Sequence, residues 1–149
     1  MKAPLKLGIT GFGSDLPTVS FSEFCSVMQR LARAMRMEVV ASEAAGVTPN
    51  FHQATLSGPD EQLVVVCNHV HPVIALARTP VSYWQLTFLD HPYLAETLTS
   101  LWPCEVLNVA DLERPIEPSD LEDLSPYERL LAKDEHASRL GNLVFHWHD

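Results

Sequence analysis

The stretch Val64 to His71 reads VVVCNHVH, and the last seven residues read LVFHWHD. Side chains alternate between the two faces of an extended strand. Cys67, His69 and His71 would therefore project to one side, and His146 and His148 would do the same in the second stretch. Residues two apart on a strand lie about 6 to 7 Å apart along the backbone, close enough for imidazoles to converge on one ion. If the two strands were neighbours, His69, His71, His146 and His148, or three of them with Cys67, would supply the nitrogen and sulfur ligands that zinc takes. The competing reading is a set of polar strand histidines. His146 and His148 stand opposite Leu143, Phe145 and Trp147, where solvent-facing side chains belong on a two-sided strand. Zinc sites legible in sequence carry tighter, repeated spacings, and no H-E-x-x-H occurs. The expectation is no cofactor, with zinc on these five residues as the alternative.

Nucleophilic chemistry has less to build on. Cys67 and His69 lie side by side on a strand, which does not by itself give the hydrogen bond between a thiolate and its base. No G-x-S-x-G elbow and no S-x-x-K occurs. Gly8, Gly11 and Gly13 have the wrong order of spacings for a dinucleotide fingerprint, and none of the 19 acidic residues is singled out as a catalytic pair. His52, on a strand, and His91, before Pro92, read as ordinary polar residues. The sequence thus leans away from an enzyme, a small hydrolase using the strand histidines being the alternative.

Charge points outward instead. With 19 acidic against 10 basic residues the chain carries a net charge of −9, which repels a phosphate backbone and attracts a basic protein surface. The acids concentrate in DLERPIEPSDLEDLSPYE, Asp111 to Glu128, a proline-containing stretch whose one base is Arg114. It reads as a surface segment. Asp120, Glu122 and Asp123 are its candidate partner-binding acids. Aromatic side chains anchor interfaces, which nominates Tyr127, Trp84 and Trp102, with Tyr83 and Tyr93 beside them. Bacterial immunity proteins that neutralise toxins share this small, acidic make-up, an analogy of class that no motif carries.

Three distant cysteines, an odd number, argue for free thiols and a reducing compartment. The start lacks the apolar run of a secretory signal, and no stretch approaches a membrane span. The expectation is a cytoplasmic protein with no membrane or nucleic-acid partner and an oligomeric state the sequence leaves open.

Elements must position these side chains. Leu5 to Phe12 alternates as a strand. Ser20 and Glu23 form a capping box, flanked by Val19 and Phe24 as a staple, and Phe21, Phe24, Cys25, Met28, Leu31, Ala32 and Met35 make the apolar face of a helix reaching about Arg36. From Met37 to Asp90 five strand-like segments follow (MEVVASEA, FHQATLSG, LVVVCNHV, VIALAR and SYWQLTFLD), with connections too short for crossover helices. Asp90 and Pro92 open a second helix along Leu94, Leu98, Leu101 and Trp102, and Pro103 stops it. CEVLNV is a short strand, Ser125, Pro126 and Glu128 announce another helix, Gly141 ends the helical region, and Leu143 to Asp149 alternates as a closing strand. At 149 residues, 46% hydrophobic and 19% charged, the chain suits one folded domain. The order of elements describes an α+β domain, a mainly antiparallel sheet of about five to seven strands with helices packed on one face.

Overall fold

A computed structural model describes residues 18–46, 50–79, 86–122, 124, 126, 128–129 and 139–145, at 142 and 143 the backbone only. The strand expected at Leu5 to Phe12 lies outside these residues, as do His146 and His148. Helix α1 runs Phe21–Met35, with the Ser20 side chain accepting from the Glu23 N–H. Only that half of the expected capping box is made by side chains: the Glu23 carboxylate instead accepts from the Trp102 indole at 2.7 Å, tying the start of α1 to the end of the second long helix. Phe24, Val27, Met28, Leu31 and Ala32 bury the inner face, while Cys25 is half-buried. The helix ends where Arg36 turns left-handed at φ 58°.

A meander follows: β1 (Glu38–Glu43), β2 (Phe51–Ser57), β3 (Gln62–Asn68), β4 (Val73–Arg78) and β5 (Phe88–Leu89), each antiparallel to the one before. The short loops dictate that geometry, since links of four to nine residues leave no room for a crossover helix and return the chain alongside itself. Strand β6 (Glu105–Val106) comes back beside β4 in parallel, after helix α2 (Pro92–Leu101) has supplied the crossover. The protein is thus α+β with a mainly antiparallel six-stranded sheet. At the β1 edge, Val40 is the extra residue of a bulge and stands 51% exposed, an irregularity that disfavours adventitious strand pairing.

The two long helices lie on one face. Their partners there are Leu63, Val65 and Cys67 of β3, Ile74 and Leu76 of β4, and Ala54 and Leu56 of β2. The other face is covered as well: Phe51, Val64, Val66, Val73, Ala75 and Ala77 pack beneath Leu107, Leu112, Leu124, Leu140, Val144 and Phe145. Strands with the near-unbroken apolar runs LVVVC and VIALA need cover on both sides, so α1 and α2 account for only half of the packing. Helix α3 (Val109–Glu113), a 3₁₀ turn (Pro118–Leu121) and helix α4 (Leu140–Val144) supply the rest.

Three sequence expectations are corrected. Asp90 does not open α2: His91 is its cap, its Nδ1 accepting from the Leu94 N–H, and the Asp90 carboxylate accepts instead from the Val109 N–H at the start of α3. Gly141 lies inside α4 rather than ending a helix, and Leu143 and Val144 are helical rather than the start of a strand. The backbone decides this: the Phe145 N–H donates to the Gly141 carbonyl at 3.0 Å, the four-residue step of a helix. Of the helix expected after Ser125, Pro126, Glu128 and Arg129 are helical. Among the described residues no helix is long and apolar enough to cross a membrane.

Candidate functional site

Two ends of the β2–β3 hairpin carry the side chains with chemistry. At the open end, His52 and Cys67 are paired across the strands and face α1. His52 is buried and fully engaged: Nδ1 accepts from the Ala45 N–H at 2.8 Å, so Nε2 carries the hydrogen and donates to the Val19 carbonyl at 2.8 Å. The ring packs against Phe21 and Phe24 and meets His69 edge-on, 5.6 Å between centroids. It reads as a structural bracket joining β2, α1 and the chain after β1.

The expected alignment of Cys67, His69 and His71 does not occur, because the strand stops at Asn68. The Asn68 carbonyl oxygen on its side chain accepts from both the Val70 and the His71 N–H groups, at 2.9 and 3.0 Å. This Asx-type turn rotates the chain out of the sheet just before Pro72. Cys67 is left inside the core, its thiol pushed far up by burial and by the nearby Cys104, and its Sγ–H donating weakly to the Asn68 carbonyl at 3.4 Å. A reactive or metal-binding cysteine needs the opposite shift. Cys104, beside His71 in a shallow cleft, is likewise raised to about 11 by burial. Among the described residues no three of His, Cys, Asp and Glu gather as metal ligands would; His146 and His148 lie outside them.

His69 has a measurable consequence. Burial, and secondarily His52, lowers its pKa from 6.5. A lowered histidine binds fewer protons folded than unfolded, so it opposes folding as pH falls through and below 6.5. The melting temperature should drop across that window, and the drop should be smaller in His69→Gln. Identical pH profiles for the two proteins would rule this out.

Asn68 also ties the two faces of the molecule. Its side-chain N–H donates to the Val144 carbonyl at 2.8 Å, and Asn50 donates to the same oxygen at 3.1 Å. Both asparagines are buried. The last carbonyls of a helix lack partners within it, and this pair satisfies the one that α4 turns toward the sheet.

The acidic segment is more ordered than its composition implies. Asn108 caps α3 by accepting from the Asp111 N–H, and Asp120 receives a two-pronged bond from Arg114, both at 2.9 Å, plus the Glu117 N–H at 2.7 Å. These bonds lower the Asp120 pKa and raise that of Arg114. Asp120 is 6% exposed, so it faces inward as an anchor of the 3₁₀ turn. Arg129 donates to the carbonyls of Leu121, Glu122 and Leu124, closing the turn from the other side. Glu113 pairs with the buried Arg139. Glu117 and Glu122 stay exposed. Trp102 is buried against α1 at 7% exposure, whereas Asp123, Tyr127, Trp84 and Tyr83 lie outside the described residues. Helix α3 escapes the sequence reading, although Asn108 and Asp111 at cap spacing, with Val109, Leu112 and Ile116 three to seven residues apart, carry its signature.

At the closed end of the hairpin a cleft of about 260 Å³ opens between the β2–β3 turn and the start of α2. Met35 and Met37, the turn residues Gly58 to Glu61, and His91 and Tyr93 line it. His91 Nε2 donates to Glu61 Oε1 at 3.0 Å, since its Nδ1 is already an acceptor. Tyr93 is 63% exposed. Sequence reasoning nominates Tyr93 as an anchor but has no means of placing Asp60 and Glu61 beside it. No family model, curated protein or solved structure matches the chain.

Proposed function

We propose that this is a small acidic cytoplasmic protein that acts by binding another protein with a basic surface, as an immunity-type neutraliser or another regulatory interaction module. One observation carries the reading: an acidic segment braced from within, with the carboxylates of Glu117 and Glu122 exposed on its outside and Glu117 also capping the 3₁₀ turn. Arg114 and Arg129 spend their charge on Asp120 and on backbone carbonyls, and Glu117 and Glu122 are exposed on the frame so formed. A surface already ordered avoids the entropy that a flexible acidic tail would lose on binding. Net charge of −9 adds long-range attraction to a basic partner.

The test begins with affinity capture from the organism that encodes the chain, followed by mass spectrometry and association kinetics with the captured protein. Reversing Glu122 and Asp123 to lysine should slow association about tenfold at low salt and leave little difference at high salt. Asp120 and Glu117 are unsuitable for reversal because their side chains cap the turn reciprocally and the change would dismantle it. An on-rate untouched by the reversals, or a partner without a basic surface, would defeat the proposal.

A further inference from the structure

We infer that the cleft between the β2–β3 turn and α2 is an arginine pocket, a seat for one guanidinium side chain projecting from the partner. This rests on the protein-binding reading above and gives that partner a definite anchor, at a place separate in the chain from the acidic segment.

Size comes first. At about 260 Å³ the cleft falls below the roughly 300 to 1,000 Å³ of sites that enclose whole cofactors or drug-sized molecules. One long side chain fits that scale. Its chemistry follows from the lining: Met35 and Met37 offer an apolar, adaptable surface to a methylene stem, while the carboxylates of Asp60 and Glu61 stand exposed at the rim. Tyr93, 63% exposed, adds a ring face to which a cation is attracted.

The charges are available. Asp60 meets no cation among the described residues. Glu61 gives one oxygen to His91, and its other oxygen meets no cation among the described residues. Arg36 stands between the two methionines in sequence, yet does not line the cleft. An arginine is favoured over a lysine because its planar, weakly hydrated group can stack on Tyr93 while its fork of N–H donors reaches two carboxylates at once. His91 belongs to the frame: bonded to the Leu94 N–H and to Glu61, it fixes the rim carboxylate to the start of α2.

The probe is N-acetyl-arginine amide, titrated into the isotope-labelled full chain and followed by backbone amide shifts. It should saturate on the order of 1 mM, moving the amides of Met37, Gly58, Asp60, Glu61 and Tyr93. The citrulline analogue, equal in shape and uncharged, should bind at least about tenfold more weakly, with the lysine analogue between them. Tyr93→Ala and Asp60→Asn are surface changes that leave the His91 bracket in place; each should weaken the arginine probe severalfold without altering the melting temperature. Equal binding of arginine and citrulline, or shifts centred elsewhere, overturns the pocket. The two proposals separate cleanly, because the probe needs no partner: a captured partner that still binds the Tyr93→Ala, Asp60→Asn protein with unchanged affinity refutes the pocket and leaves the protein-binding reading standing.

Discussion

Replacing Asn68 with alanine is expected to lower the melting temperature by about 10 °C. Among the described residues the side chain makes hydrogen bonds in a fully buried setting: it donates to the Val144 carbonyl and accepts from the N–H groups of Val70 and His71. Removing one partner strands the other, at about 1 to 3 kcal/mol for each buried group left unpaired. Asn50 still serves the Val144 oxygen, and the half-buried His71 amide can recover some hydration. The net loss is then about 3 kcal/mol, and for a chain of this length each kcal/mol moves the midpoint by roughly 2 to 4 °C. Asn68→Asp separates the two jobs. A carboxylate keeps both acceptor bonds of the turn but cannot donate to Val144 and sets a negative charge against that carbonyl. It should be destabilised as well, and increasingly so as pH rises above the usual carboxylate range. An alanine variant melting within about 2 °C of the parent would mean that the clamp contributes little.

The same residue explains where the sequence could be read and where it could not. Strand β3 is announced by its apolar run and helix α1 by Ser20 and its periodic face, signals set by local burial and capping. Asn68 interrupts the run at a point where C-N-H-V still alternates acceptably, and only its bonds to Val70 and His71 reveal a turn in place of two more strand residues. The zinc alternative depends on that stretch remaining extended, so its geometric premise on β3 fails with the turn. Asp120 teaches the converse. Among seven acids it looks like surface charge, and Arg114, six residues earlier, is the one base in the segment. Their pairing needs the chain to double back through Pro115 and Pro118, a three-dimensional fact with no periodic signature. The cleft is harder still, because Met35, Asp60 and Tyr93 come from α1, the β2–β3 turn and α2 and meet only in the folded chain.

Gly141 yields the second large effect, and there two opposing terms must be compared. It lies within α4, where alanine would ordinarily improve helix stability by about 1 kcal/mol. A Cβ built at this position would stand 2.5 and 2.9 Å from two ring carbons of Phe88 and 3.1 Å from the Leu112 backbone oxygen. Neither neighbour yields easily: the oxygen belongs to the backbone of α3, and the Phe88 ring is held by Phe145 on one side and by the Arg139 guanidinium, 4.8 Å from its centroid. Arg139 is itself pinned to Glu113 and, at 2.7 Å, to the Leu86 carbonyl. Overpacking of a filled core costs about 1 to 3 kcal/mol, and this close an approach belongs at the upper end, so the clash outweighs the helix gain. Gly141→Ala should melt about 5 °C lower. The cause is identified by adding Phe88→Leu, which trims the ring: the double variant should be less destabilised than the sum of the two single changes, since neighbours that share one space do not act additively. Were Gly141→Ala to raise the melting temperature, α4 would not be seated against Phe88, and the cover over the second face of the sheet would have to be assigned differently.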